Sequence, residues 1–203
     1  MADFELTIQF TQDDTKTINS EGFVVAIVKG PHSQPDPKPL WAVLVPFEKN
    51  VVAWQGIYGL YASPDPVEQE TVISASSTQY PAEPGVVYPF TNNVFDAPTG
   101  ITQPGDYAVE NNTSEVLTFG LAQTVTANGK TYDASPVNAL AFGNQMTGIF
   151  EPTETISVFL HKETVAGAII IVTESAALTV DMAANPTQTI HYNGSEFVLG
   201  PLA

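Results

Sequence analysis

Apolar and polar residues alternate most cleanly near the start of the chain, where Glu5, Thr7 and Gln9 separate Phe4, Leu6, Ile8 and Phe10. A period of two puts the four apolar side chains on one face, so the stretch predicts a half-buried β-strand. Residues 23–28 are apolar throughout and predict a central strand. The polar residues 11–21, ending at Gly22, predict a turn region. Residues 40–47 and 51–63 predict two more strands, joined by the polar turn Glu48-Lys49-Asn50. Residues 40–63 carry Trp41, Trp54, Tyr58 and Tyr61, and are expected to organise the rest of the chain.

Further strands are predicted at 70–77, 86–90, 116–125, 155–161, 167–173 and 178–182. The pairs Asn128-Gly129 and Asn193-Gly194 predict hairpin turns, because both turn positions favour positive φ. The first returns through residues 130–132 toward Leu140 and Phe142, and the second lies within 187–199. Proline-rich stretches at 30–39 and 63–68, and the irregular span 79–106, predict loops, where binding residues tend to sit. No window keeps an apolar 3.6 period with caps, so no helix is expected. The pattern as a whole predicts an all-β antiparallel sandwich, with a β-barrel as the alternative, in one domain over residues 1–203.

Charge narrows the function classes. There are 22 acidic residues against six lysines, no arginine, and a net charge of −16. Clustered cations are needed to neutralise phosphates, so no nucleic-acid partner is expected. Cysteine is absent, which removes disulfides and thiolate chemistry and leans toward the cytoplasm. The opening MADFELTIQF lacks a positive region and is expected to be a strand, not a signal peptide. No apolar run reaches the length of a transmembrane segment.

Candidate chemistry is sparse. The histidines are His32, His161 and His191, and no serine sits in a G-x-S-x-G elbow, so enzymatic activity is not expected. His161 with Glu163, or His191, could join a metal site, but the sequence leaves any metal unknown. The sequons at Asn111, Asn112 and Asn193 are read as coincidence. Aromatic residues carry more information. Trp41, Trp54, Tyr58, Tyr61 and Tyr88 suit core packing, sugar stacking or enclosure of a flat ligand. With His161 and His191 they form the expected ligand-binding set.

Val52, Trp54, Tyr58, Gly59, Tyr61, Ala62 and Ser63 make the pattern V-x-W-x-x-x-Y-G-x-Y-A-S, and residues 117–121 read LTFGL. These motifs resemble a group of small cysteine-free fungal all-β proteins, and through it the pink pigment-carrying chromoproteins of oyster-type mushrooms. The resemblance implies a non-catalytic cytoplasmic protein holding a small apolar or aromatic ligand, an organic chromophore. Other β-sandwiches of fungal fruiting bodies are lectins and defence proteins, which makes a glycan the alternative partner. A homodimer pairing through an exposed edge strand such as residues 4–10 is a third expectation.

Overall fold

A computed structural model describes residues 3–30, 37–162, 164–171 and 175–202. Strand β1 (Asp3–Gln9) leads into helix α1 (Gln12–Ser20), then β2 (Phe23–Lys29), β3 (Lys38–Pro39), β4 (Ala42–Leu44), β5 (Lys49–Gln55) and β6 (Gly59–Ser63). The middle of the chain forms β7 (Ser77–Gln79), β8 (Val86–Thr91), β9 (Val94–Phe95), β10 (Gly100–Ile101) and β11 (Tyr107–Asn111). Then come β12 (Leu117–Ala127), β13 (Lys130–Pro136), β14 (Leu140–Phe142) and β15 (Met146–Phe150). The chain closes with β16 (Thr155–Lys162), β17 (Ile169–Ile170), β18 (Leu178–Asp181), β19 (Thr187–Tyr192) and β20 (Phe197–Leu199).

The fold is all-β, and its sheets are open rather than closed into a barrel. A nine-stranded sheet runs β20-β19-β1-β5-β12-β6-β7, with β13 and β14 also paired to β12. A four-stranded sheet runs β18-β16-β2-β4 and a five-stranded one β10-β8-β11-β15, with β9 on β8. Both small sheets share a core with the inner face of the large one. Trp54 of β5 meets Trp41, just before β4, edge-on at 5.1 Å between centroids, and Phe119 of β12 meets Phe90 of β8 at 5.3 Å. Each fully buried side chain of this size contributes about 1.5–3 kcal/mol, so the layers are held by their rings.

The organising strand is β12, not the stretch 40–63. Along one edge it pairs with β6 through Thr118–Ala122 and with β5 through Val125–Ala127; along the other it pairs with β14 and β13. The expected hairpin of 40–47 with 51–63 does not form. β4 bonds to β2 in the four-stranded sheet, while β5 bonds to β1 and β12 in the large one. The connecting turn crosses between layers and is pinned by the buried Asn50. Its Oδ1 accepts from Phe47 N at 2.9 Å, and its Nδ2 donates to Phe47 O at 2.8 Å and Ile8 O at 3.2 Å.

The predicted strand 51–63 is two strands on one line. Trp54 pairs with Val125 but Gly59 pairs with Ala122, so the pairing slips in the break between β5 and β6. Trp54 and Tyr58 still face the core, and Tyr61 faces a separate cluster with Ile73, Ala122 and Ile169 on the other side.

Other expectations also change. Residues 11–21 hold α1, whose Thr11 caps the helix by accepting from Asp14 N at 3.1 Å, with Asp13 and Asp14 in the first turn. Only Ile18 of the helix is buried, so there was no apolar period to read. Residues 70–77 do not form the predicted strand. Glu70 adopts φ 65°, which breaks the extended run, and Val72 makes an isolated bridge to Ala168. β11 and β15 were not predicted. β1 lies between β19 and β5, so residues 4–10 are no free edge for a dimer. The Asn128-Gly129 hairpin forms as expected, with φ 49° and 80° and Ala127 opposite Lys130. The second hairpin has a wider turn, because Tyr192 pairs with Phe197.

Candidate functional site

Trp41, Trp54 and Tyr58 come together around a buried ion pair that sequence reasoning missed. β2 ends on Lys29, which its register carries into the core, and the connection before β16 supplies Glu154. Lys29 Nζ donates to Glu154 Oε2 at 2.6 Å, with Thr153 O at 3.3 Å and the Tyr58 hydroxyl at 3.4 Å. The ammonium lies 4.6 Å from the Trp41 ring centroid and 4.9 Å from that of Trp54, within cation–π range. Trp54 Nε1 donates to the same Oε2 at 2.8 Å, and the Tyr58 hydroxyl lies 2.8 Å from both Glu154 Oε1 and Thr153 O.

Burial pushes the Lys29 ammonium down to about 8 from its ordinary 10.5, against the opposing pull of Glu154. Burial first, and the Glu154 charge second, push the Tyr58 phenol upward. The Lys29 side chain is 0% exposed and that of Glu154 15%. The ammonium is enclosed while the carboxylate keeps an edge toward solvent, and chemically the cluster is a latch that fastens the chain at 153–154 to the centre of the sandwich. A lysine ending an apolar run was the one sequence signal for it.

The remaining predicted site residues are dispersed. Trp41 spends its Nε1 proton on Gln123 O at 3.0 Å, and buried Tyr61 donates to Asn138 O at 2.6 Å. Tyr88 is buried and accepts from Glu83 N at 2.9 Å. His191 Nδ1 lies 2.9 Å from Gly200 O. His161 is partly buried on β16, its ring tilted against Phe159 at 6.3 Å. His32 and Glu163 lie outside the described residues, so the His161–Glu163 pairing does as well. Among the described residues no group of three or more His, Asp or Glu is gathered to hold a metal ion.

An open groove of about 620 Å³ lies on the outer face of the large sheet. Its register explains it. Thr187 pairs with Glu5, Glu5 with Ala53, and Ala53 with Thr126, a single row across β19, β1, β5 and β12. Alternation turns these side chains outward, and the small Ala53 leaves a dip between longer neighbours. Asp3 and Gln55 form the next row, with Gln55 Nε2 donating to Asp3 Oδ1 at 2.9 Å. Tyr80 and Ile57 line one end; the Tyr80 hydroxyl donates to Ile57 O and accepts from Thr124 N, both at 3.3 Å. Phe4 and Trp54, stacked at 5.4 Å, turn their rings to the core beneath this floor. Of the predicted site residues Trp54 borders it, with its ring on the core side. Apart from Ile57 and Tyr80, its outward side chains are threonines, acids, Gln55 and an alanine, which carry no sequence signal until the strands are paired.

A Cβ on Gly59 would meet Tyr80 Cδ2, and Gln79 O at 2.6 Å. The space there belongs to the neighbouring strand β7 and the residue after it.

No family model, no curated protein and no solved structure matches the chain. No helix among the described residues is long and apolar enough to cross a membrane.

Proposed function

We propose that the protein is a non-catalytic binding protein that takes a small hydroxyl-rich ligand, a sugar ring foremost, in the outer groove of its large sheet. The observation that carries this reading is the row Thr187–Glu5–Ala53–Thr126. It sets hydroxyl donors and carboxylate acceptors around a shallow floor, and about 620 Å³ is ample for one or two sugar rings. Acceptor carboxylates favour neutral or cationic ligands over anionic ones, in keeping with the net charge of −16.

The test is a glycan array, followed by calorimetry on the sugars retained. Ala53→Phe fills the floor from the solvent side and is expected to weaken binding by about tenfold or more, that is about 1.4 kcal/mol or more. Its stability should stay within about 0.5 kcal/mol of the parent. Uniformly negative arrays, or retained sugars that bind Ala53→Phe as well as the parent, would sink the reading.

A second reading, a flat aromatic chromophore as the fungal resemblance implies, is favoured by Ile57 and Tyr80 at one end of the same groove. It predicts a coloured protein as isolated and a small molecule in an organic extract. A colourless protein with an empty extract excludes it. The third expectation, a homodimer, is left without its proposed edge and is tested by light scattering.

A further inference from the structure

We propose that Asn193 is a site of spontaneous covalent modification, deamidating much faster than Asn128 although each precedes a glycine. In the reaction the backbone nitrogen of Gly194 bonds to Asn193 Cγ. The Cγ–Nδ2 bond breaks, and ammonia leaves with the proton that Gly194 N gives up. Water then opens the resulting succinimide at either carbonyl, leaving aspartate or isoaspartate. The sum is one water consumed and one ammonia released, with no oxidant or reductant.

At Asn193 the turn is built for this step. Negative charge develops on Oδ1 as Cγ is attacked. Three donors already converge on that oxygen: Ser195 N at 3.0 Å, Ser195 Oγ at 2.9 Å and Glu196 N at 3.0 Å. Fixed donors aimed at a developing oxyanion lower the barrier to forming it. The leaving group is the opposite end of the amide, and among the described residues Nδ2 makes no hydrogen bond. Asn193 is exposed, so ammonia departs directly to water. Gly194, at φ 93°, has no Cβ to obstruct its nitrogen.

Asn128 has the same dipeptide and the opposite surroundings. Its Nδ2 donates to Oδ1 of the buried Asn50 at 2.8 Å, and among the described residues its Oδ1 accepts one bond, from Val51 N at 3.0 Å. The amide is tied across to β5 at both ends. Attack by Gly129 N requires it to let go of both partners. Two other asparagines accept a comparable turn bond but lack the chemistry. Buried Asn111 donates Nδ2 to Glu115 O and Phe142 O, and Asn185 precedes Pro186, which has no N–H to lose.

Modification has a local consequence. A Cβ on Gly194 would lie 3.9 Å from Asp14 Oδ1, and Asp14, Glu21, Tyr192 and Gly194 line a cleft of about 320 Å³ beside α1. Aspartate at 193 adds a further negative charge there, and isoaspartate lengthens the main chain inside the turn that Asn193 closes.

The experiment incubates the purified native protein in mildly alkaline buffer. Peptide mass spectrometry then follows residues 193 and 128, with enzymatic isoaspartate methylation as a second readout. Asn193 should convert at least about tenfold faster than Asn128, the ratio that about 1.4 kcal/mol of barrier produces. In denaturant the two rates should converge. Ser195→Ala should slow Asn193 in the folded protein, and Asn50→Leu should speed Asn128. Equal rates in the folded protein, or an intact Asn193 after the denatured chain has converted, would overturn the proposal. So would a Ser195→Ala variant that converts as fast as the parent.

Discussion

Glu154 and Lys29, 125 positions apart in sequence, meet at 2.6 Å in the core, between the indoles of Trp41 and Trp54. The pair fixes the point at which the chain passes from the five-stranded sheet into β16. Its charges are worth little as an attraction in isolation, since removing them from water costs several kcal/mol per ion. Both carboxylate oxygens of Glu154 are bonded all the same, to Lys29, Trp54 and Tyr58.

Removing one member should therefore cost much more than removing both. Glu154→Gln leaves an ammonium buried without its counter-charge and is expected to lose about 3–5 kcal/mol. Lys29→Met combined with Glu154→Gln should recover most of that loss. Urea unfolding of the parent and the two variants decides it. A Glu154→Gln protein as stable as the parent would show that the pair carries no such weight.

Stability should rise with pH on the alkaline side of neutrality. Burial holds the Lys29 ammonium near 8 in the folded chain, against 10.5 unfolded. Between those values the unfolded chain binds more protons, so its share of stability is absent below about 8 and is regained as pH rises toward 10.5. Tyr58 works the other way. Its phenol is raised above the ordinary 10.0, so above about pH 10 the unfolded chain loses its proton first and stability falls. The unfolding free energy should climb from pH 8, then turn over near pH 10. Lys29→Met should lack the climb, and the same climb in that variant would point to another group.

Gly59 should tolerate no side chain. A Cβ there meets Tyr80 and the Gln79 carbonyl, which is backbone and cannot swing aside. Gly59→Ala is expected to cost about 1–3 kcal/mol, as overpacking does, whereas Gly105→Ala meets nothing within 4 Å and suffers only from its φ of 95°. Thermal melts of the two variants compare crowding with backbone strain. A Gly59→Ala melt unchanged from the parent would place β7 farther away.

Asn50→Leu keeps the branching of the side chain but deletes bonds to Phe47, Ile8 and Asn128. Buried groups left unsatisfied cost about 1–3 kcal/mol each, so a clear loss in chemical denaturation is expected. A neutral result would mean that water replaces the amide at the layer crossing.

Much of the sandwich was legible from alternation alone. β1 alternates because its Glu5 face is wet and its Leu6 face is core. β2 is continuously apolar because the main core covers Val25 and Ile27 while Leu40 and Ile170 cover Ala26 and Val28. Asn128-Gly129 announced its hairpin because turn geometry is a local property of φ. Helix α1 escaped because its stability rests on a cap and acidic first turn, not on a buried stripe. The site escaped for a different reason. Lys29, Glu154, Ala53 and Thr126 are unremarkable in isolation, and strand register alone sets Thr126 beside Ala53 and turns Lys29 toward Glu154. Local preferences decide which residues extend and which face is apolar. Which distant strands meet, and therefore where a dip or a buried charge falls, depends on long-range pairing that no window of neighbouring residues encodes.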